Sequence, residues 1–181
     1  MRLLLLSAII FCISCNQKNN AEQKSTDTKT ETTSEQNNNQ DIENAKTWLM
    51  QNIERYFANF DTLRGDYAGI TTKEYAEFKS DATGVGMDGG MDEAEFKKKW
   101  AKRNIEKVGI SEAFMVGGND FGKIKVTKCE FKNKTESGDY LFETLIEDTE
   151  YKSKFYRDII VKKTGDSFLI DDVYEIKNEF K

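Results

Sequence analysis

Residues 154–176 read KFYRDIIVKKTGDSFLIDDVYEI, and the period of this stretch decides the fold class. Apolar and polar side chains alternate on either side of Thr164-Gly165-Asp166, the pattern of two strands joined by a tight turn. The same period runs back to Gly122. Segments 123–132, 140–148, 154–163 and 167–176 all read as strands, with a further turn at 133–138, and connections this short predict an antiparallel meander. In the first strand Ile124 and Val126 point one way and Cys129 and Phe131 the other, so the pattern predicts a bulge near Thr127 or Lys128 that returns all four to one face. In the last strand an unbroken period puts Asp172 on the face of Phe168, Ile170, Tyr174 and Ile176. A carboxylate there must stand at an opening or be paired, and Arg157 on the neighbouring strand is the candidate partner.

Before Gly122 the period is helical. Ile42, Ala45, Leu49, Ile53, Tyr56 and Phe60 recur at three- and four-residue steps behind Asp41, a potential N-cap. Two shorter helices are announced by capping boxes: Thr71 with Glu74 ahead of Tyr75 and Phe78, and Asp92 with Glu95 ahead of Phe96 and Trp100. Between them the glycines Gly84, Gly86, Gly89 and Gly90 exclude continuous helix and read as a mobile linker. The stretch 108–116 reads as a short strand. The expected architecture is therefore α+β: three N-terminal helices packed on a curved antiparallel sheet of four to five strands over residues 41–181.

Composition excludes several chemistries. The chain of 181 residues has no histidine, which removes Ser-His-Asp and Cys-His nucleophiles and His-ligated zinc. Its net charge of −5 is spread without a basic patch, so nucleic acid is not an expected partner. Of three cysteines, Cys12 and Cys15 belong to the leader described below, which leaves Cys129 without a disulfide partner in the domain. A lone thiol of this kind is expected to be buried and inert.

Two motifs are weaker than they look. Residues 84–89 satisfy G-x-G-x-x-G, but a helix precedes the glycines and no parallel strand follows, so no dinucleotide site is expected. An EF-hand register from Asp81 places Gly86 sixth and Asp92 twelfth, yet Val85 holds a ligand position and Thr83 replaces an acid. Neither cofactor nor metal is expected. The numerous aromatic residues are mostly core, but a curved sheet under helices leaves a pocket, for which Trp100, Tyr140, Arg157 and Asp172 are the candidate lining residues.

The N-terminus reads as an address. Arg2, an apolar run at 3–13, small Ser14 and then Cys15 are the parts of an export signal, and the run is too short to span a bilayer. Residues 15–40 are too polar to offset their ordering entropy and read as a flexible tether with a reach of roughly 25 to 30 Å. The segment resembles bacterial lipoprotein signal peptides, with Ile13, Ser14 and Cys15 closing the lipobox and Cys12 standing where leucine is usual. That resemblance implies a leader at 1–14, acylation of Cys15, and anchoring by lipid, with the outer membrane facing the periplasm preferred.

The order of helices and meander, with the closing run Phe168-Leu169-Ile170-Asp171-Asp172-Val173, is similar to the NTF2-like (cystatin-like) fold, and in particular to DUF3828-type bacterial lipoproteins. Phe168 stands where those proteins often carry tryptophan. The resemblance implies a half-open cone used for binding or, in some relatives, for acid–base catalysis, and it leaves a homodimer through the sheet open. The leading expectation is a lipid-anchored, non-catalytic module binding a small molecule or a protein. The alternatives are a pocket enzyme with Asp172 as general base, tuned by Arg157 and a tyrosine, and an immunity-type inhibitor of a toxin.

Overall fold

The period-two segments form one sheet in a computed structural model that describes residues 28–63, 67–110, 112–118 and 120–180. Strands β1 (Ile124–Lys134), β2 (Tyr140–Asp148), β3 (Lys154–Thr164) and β4 (Ser167–Glu179) pair antiparallel in consecutive order. Ahead of them come α1 (Thr28–Ala58), the single turn α2 (Phe60–Leu63), α3 (Lys73–Gly84) and α4 (Glu93–Lys99), with 3-10 turns at Tyr67–Gly69 and Ile105–Lys107. The fold class is α+β.

Helix α1 buries Ile42, Ala45, Leu49, Ile53 and Tyr56, the face its spacing predicts, and adds Phe57. It packs chiefly on β1. Phe60 falls beyond its end, in α2, where its ring meets those of Tyr56 and Phe121 at 5.9 and 5.0 Å. The helix starts at Thr28 and not with a cap at Asp41, so residues 28–40 of the expected tether are helical. Once the packed turns exist, each preceding residue gains a hydrogen bond without a new nucleus. Asp41 instead bridges to the sheet, its Oδ2 2.6 Å from Lys163 Nζ. The leader, Cys15 and the tether up to residue 27 lie outside the described residues.

The predicted bulge in β1 is present. Val126 pairs with Ile146 and Lys128 with Leu145, leaving Thr127 as the extra residue, and Ile124, Val126 and Cys129 are all buried. Glu54 of α1 serves the irregular ladder: its Oε1 accepts from the Val126 N–H at 3.1 Å, and its other oxygen meets Lys125 Nζ.

Strand β4 departs from the expected period. It carries two extra residues relative to β3: Asp171, between the pairs Val161–Ile170 and Ile160–Asp172, and Ile176, between Arg157–Glu175 and Tyr156–Lys177. Each one-residue insertion exchanges the faces of everything beyond it. Phe168, Ile170 and Val173 are therefore buried, Glu175 and Asn178 follow opposite the inward Arg157 and Phe155, Tyr174 is half-buried, and Ile176 is exposed. The expected grouping of Tyr174 and Ile176 with the core face is overturned, whereas Asp172 is buried.

Three loops complete the frame. Thr72, one residue later than expected, caps α3 by accepting from the Tyr75 N–H, and its hydroxyl donates to Asp171 Oδ1 at 2.8 Å. Main-chain bonds Thr72 N–H to Ile170 O and Ile170 N–H to Ile70 O lay this entry against β4 as a parallel bridge, which fixes where α3 begins. The linker at 84–91 is held by hydrogen bonds from Gly86, Met87 and Gly90 N–H, and a Cβ on Gly90 would stand 2.0 Å from Gly84 O. The Asp92–Glu95 capping box of α4 forms as predicted. The stretch 108–116 forms no strand among its described residues, although Val108, Phe114, Met115 and Val116 are buried.

Thr72→Ala should lower unfolding stability in urea by about 1 kcal/mol or somewhat more, since it removes a helix cap and a hydrogen bond together. Thr72→Ser keeps both groups and should stay within about 0.5 kcal/mol of the parent.

Candidate functional site

Two basic side chains are almost wholly buried beneath the inward end of β4. Lys79, on α3, and Arg157, on β3, are each 1% exposed. Burying an ammonium or guanidinium costs several kcal/mol unless it is paired and hydrogen-bonded. Lys79 Nζ donates to Gly109 O at 3.2 Å and to Glu175 Oε1 at 3.3 Å. Arg157 Nη1 donates to the carbonyls of Tyr156 and Lys177 at 2.9 and 3.2 Å, and its Nη2 lies 3.9 Å from Glu175 Oε2. Glu175 thus lies between two cations, where the first bulge of β4 has placed it.

A second carboxyl closes this cluster. Glu112, in the irregular stretch between α4 and β1, brings its carboxyl beside that of Glu175. Two carboxyl groups in such contact share one proton, since two carboxylates would only repel. The hydrogen bond to Glu175, burial and the Glu175 charge raise the Glu112 carboxyl to about 7, against the opposing fields of Lys79 and Arg157. Burial pushes Glu175 up, but the Glu112 hydrogen bond and the two cations outweigh it and hold Glu175 below the ordinary carboxylate value. Burial lowers both Lys79 and Arg157, and the glutamates counter this. Gly109 makes the arrangement sterically feasible, because a Cβ there would stand 2.7 Å from Glu112 Cδ.

The pair borders open space on two sides. A cavity of about 260 Å³ is lined by Glu106, Lys107, Gly109, Glu112, Glu175 and Asn178 among others. A second, of about 360 Å³, lies between Thr83, Met87, Glu112, Ala113, Asn178 and Phe180, with Gly117 and Gly118 in its wall. Glu112 and Asn178 line both. Glu112 Oε2 and Asn178 Oδ1 are buried and accept from no N–H or O–H of the described residues. The rim residues Met87 and Phe180 are 56% and 63% exposed.

The four residues singled out from sequence stand apart. Trp100 packs edge-on against Phe78 at 5.2 Å and donates its indole N–H to Asp81 Oδ2 at 2.8 Å. Tyr140 belongs to the far side of the sheet core, against Phe131 and Phe168. Arg157 pairs with Glu175, and Asp172 with Arg103 of the loop after α4, Oδ2 to Nη1 3.4 Å. The expected Asp172–Arg157 pair is absent because the bulge at Asp171 turns Asp172 away from the Arg157 face. Burial pushes Asp172 up to about 6 despite Arg103, whose guanidinium sits over the rings of Phe78, Tyr75 and Trp100 at 5.1, 5.9 and 6.0 Å. None of the four lines either cavity bordered by Glu112.

Other expectations resolve simply. Cys129 is buried and its thiol is pushed up to about 12 by burial, the condition of an unreactive cysteine. Asp81 and Asp92, weighed as metal ligands, are engaged by Lys99 with Trp100 and by the α4 cap. No described helix is long and apolar enough to cross a membrane. No protein-family profile matches the chain, and no curated protein or solved structure is significantly similar to it.

Glu112, Glu175, Lys79 and Asn178 had no sequence signal of their own: a lysine on an amphipathic helix and a glutamate on a closing strand read as solvated. Only the Gly-x-x-Glu spacing of Gly109 and Glu112 hints at the folded-back side chain.

The Glu112 titration has a sign. The folded state holds this proton between the ordinary 4.5 and about 7, so its contribution to stability is present at acid pH and is lost as pH rises through 7. Glu112→Gln cannot titrate. Its melting temperature relative to the parent should therefore climb between about pH 5 and about pH 8, and a flat difference would exclude the shared proton.

Proposed function

We propose that the chain is a lipid-tethered binding module of the bacterial envelope, built as an NTF2-like cone and acting without catalysis. The observation that carries this reading is the division of labour among buried polar groups. Lys79 and Arg157, the cations that could polarise a substrate, are engaged by carbonyls and by Glu175. The 360 Å³ cleft is lined by Glu112, Asn178 and Thr83 with Met87, Ala113 and Phe180. That is the make-up of a site that holds a ligand.

The helices-then-meander order with α1 laid across the sheet supports the NTF2-like assignment, and the leader with Cys15 supports the tether. The alternative of an acid–base enzyme now falls on Glu112, because a carboxyl near 7 in a cleft is suited to proton transfer. Binding is preferred because, among the described residues, no second reacting group accompanies Glu112 in the cleft lining. The other polar side chains there are Thr83 and Asn178, and the Thr83 hydroxyl donates to Lys79 O at 2.8 Å.

The tether is tested by intact mass of the protein purified from membranes, beside Cys15→Ala. The parent should carry a diacylglyceryl and fatty-acyl increment that the variant lacks, and the variant should leave the membrane fraction. An unmodified parent mass with release into the soluble fraction would remove the lipid anchor from the proposal.

A further inference from the structure

We infer that the sheet face turned away from α1 is a docking surface for a second copy of this chain, the two sheets meeting face to face. This adds a partner to the binding-module reading and stands on the sheet itself.

The strand register defines the face. Residues paired across strands project from the same side. Leu141 stands opposite Ile160 and Leu145 opposite Tyr156, while Leu169 and Tyr174 of β4 stand opposite Lys162 and Asp158 of β3. Their strand neighbours Phe142, Ile146, Ile159 and Val161 point the other way and are buried on the α1 side. The six side chains Leu141, Leu145, Tyr156, Ile160, Leu169 and Tyr174 are half-buried, and none belongs to the core cluster or packs against it. The first insertion of β4 contributes to this layer, because it turns Tyr174 from the interior to the outer side. Lysine ammoniums top the two tyrosine rings, Lys107 over Tyr174 at 5.3 Å and Lys177 over Tyr156 at 5.7 Å. Their long stems can fold aside as an apolar surface arrives.

Charge selects the occupant. The chain carries −5, yet carboxylates of this face have cations on the same copy. Glu143 lies 2.5 Å from Lys128, Asp158 3.1 Å from Lys132 and Glu147 3.1 Å from Lys154. A strongly charged surface therefore gains little here, and a suitable partner brings apolar area with its own charges already paired. A second copy does so. About a two-fold axis along the strands, the Leu145–Tyr156 row meets the same row of the other copy, and the Leu141–Ile160 row does likewise. The Glu143–Asp158 row between them meets itself with its lysines in place.

Area sets the strength. Four strands of nine to thirteen residues, about 4.8 Å apart and rising about 3.3 Å per residue, present roughly 600 Å² per copy. The pair buries about 1,200 Å², the lower end for a specific interface, so the dimer is weak in solution. Asp41, at the start of the packed part of α1, is bound to Lys163 beside the β3–β4 turn. The same axis keeps both of these points at one end, as two lipid anchors in one membrane require, and confinement to that membrane favours a weak pair.

Sedimentation velocity of the Cys15→Ala chain, which lacks the anchor, tests this between about 2 and about 200 μM. The mass should rise from one chain to two, with half-association at roughly tens of micromolar. Ile160→Lys and Leu145→Lys should each weaken pairing about tenfold or more. Both should melt close to the parent at the lowest concentration, since neither residue belongs to the core. Tyr151→Ser, on a residue 57% exposed in the β2–β3 turn, should leave pairing unchanged. A single-chain mass throughout, assemblies that keep growing past two, or undiminished pairing by both lysine variants would each overturn the inference. So would a single-chain protein that sediments with phosphatidylethanolamine vesicles and is released by Ile160→Lys, since the face would then meet lipid. The mass increment on Cys15 tests the tether independently of all these outcomes.

Discussion

The arrangement of charge in this domain depends on two single-residue insertions in β4. Asp171 and Ile176 each add one residue opposite a regular β3, and after each the strand turns over. Between them Val173 and Glu175 face inward, and beyond the second Asn178 does. Without the first insertion Tyr174 and Ile176 would face the interior, and Arg157 would stand opposite Tyr174 and not Glu175. The first insertion is anchored on its outer edge: Thr72 Oγ1 holds the Asp171 side chain, Arg103 Nη1 holds its carbonyl at 2.9 Å, and the Ile70–Thr72 entry pairs with Ile170. The irregularity is therefore fastened by the start of α3, and the helix that brings Lys79 is the one that secures the bulge delivering Glu175.

Burying two cations and two carboxyls together follows from the limits of electrostatics in an interior. Either Lys79 or Arg157 alone would carry a desolvation cost of several kcal/mol there, more than a single attraction readily offsets. The cluster distributes the load over main-chain carbonyls as well as Glu175. Its weakness is on the anionic side, where a second carboxylate beside Glu175 is opposed by burial and like charge, and a proton resolves the conflict. Asp172 shows the same balance in miniature: one guanidinium beside it does not overcome the cost of taking its charge out of water.

Much of the fold was legible because apolar side chains announce their period. The break in parity between Val126 and Cys129 betrayed the β1 bulge, as no unbroken strand could bury both. The β4 insertions left no such trace, since Tyr174 and Ile176 are apolar and satisfied the unbroken alternation as well as Val173 did. The site was hidden for a related reason. Lysine at position 79 has the spacing of a helix face next to Phe78 and Ala82, and nothing local says that the chain will return, ninety-six residues later, with a glutamate to meet it. Residues chosen for chemistry by their type, Trp100 and Tyr140 among them, turned out to be packing groups.

The bond from Val126 N–H to Glu54 spans seventy-two residues, and it sets an order of events for a chain that emerges N-terminus first. The apolar stripe of α1 is complete long before β1 exists to cover it. The four strands, by contrast, follow one another through short connections and can zip up hairpin by hairpin once they appear. A nascent chain of this design must therefore be shielded along α1 until the sheet is synthesised, and the last hairpin, whose turned-over strand seats Glu175 against Lys79 and Arg157, closes the interior at the end of the process.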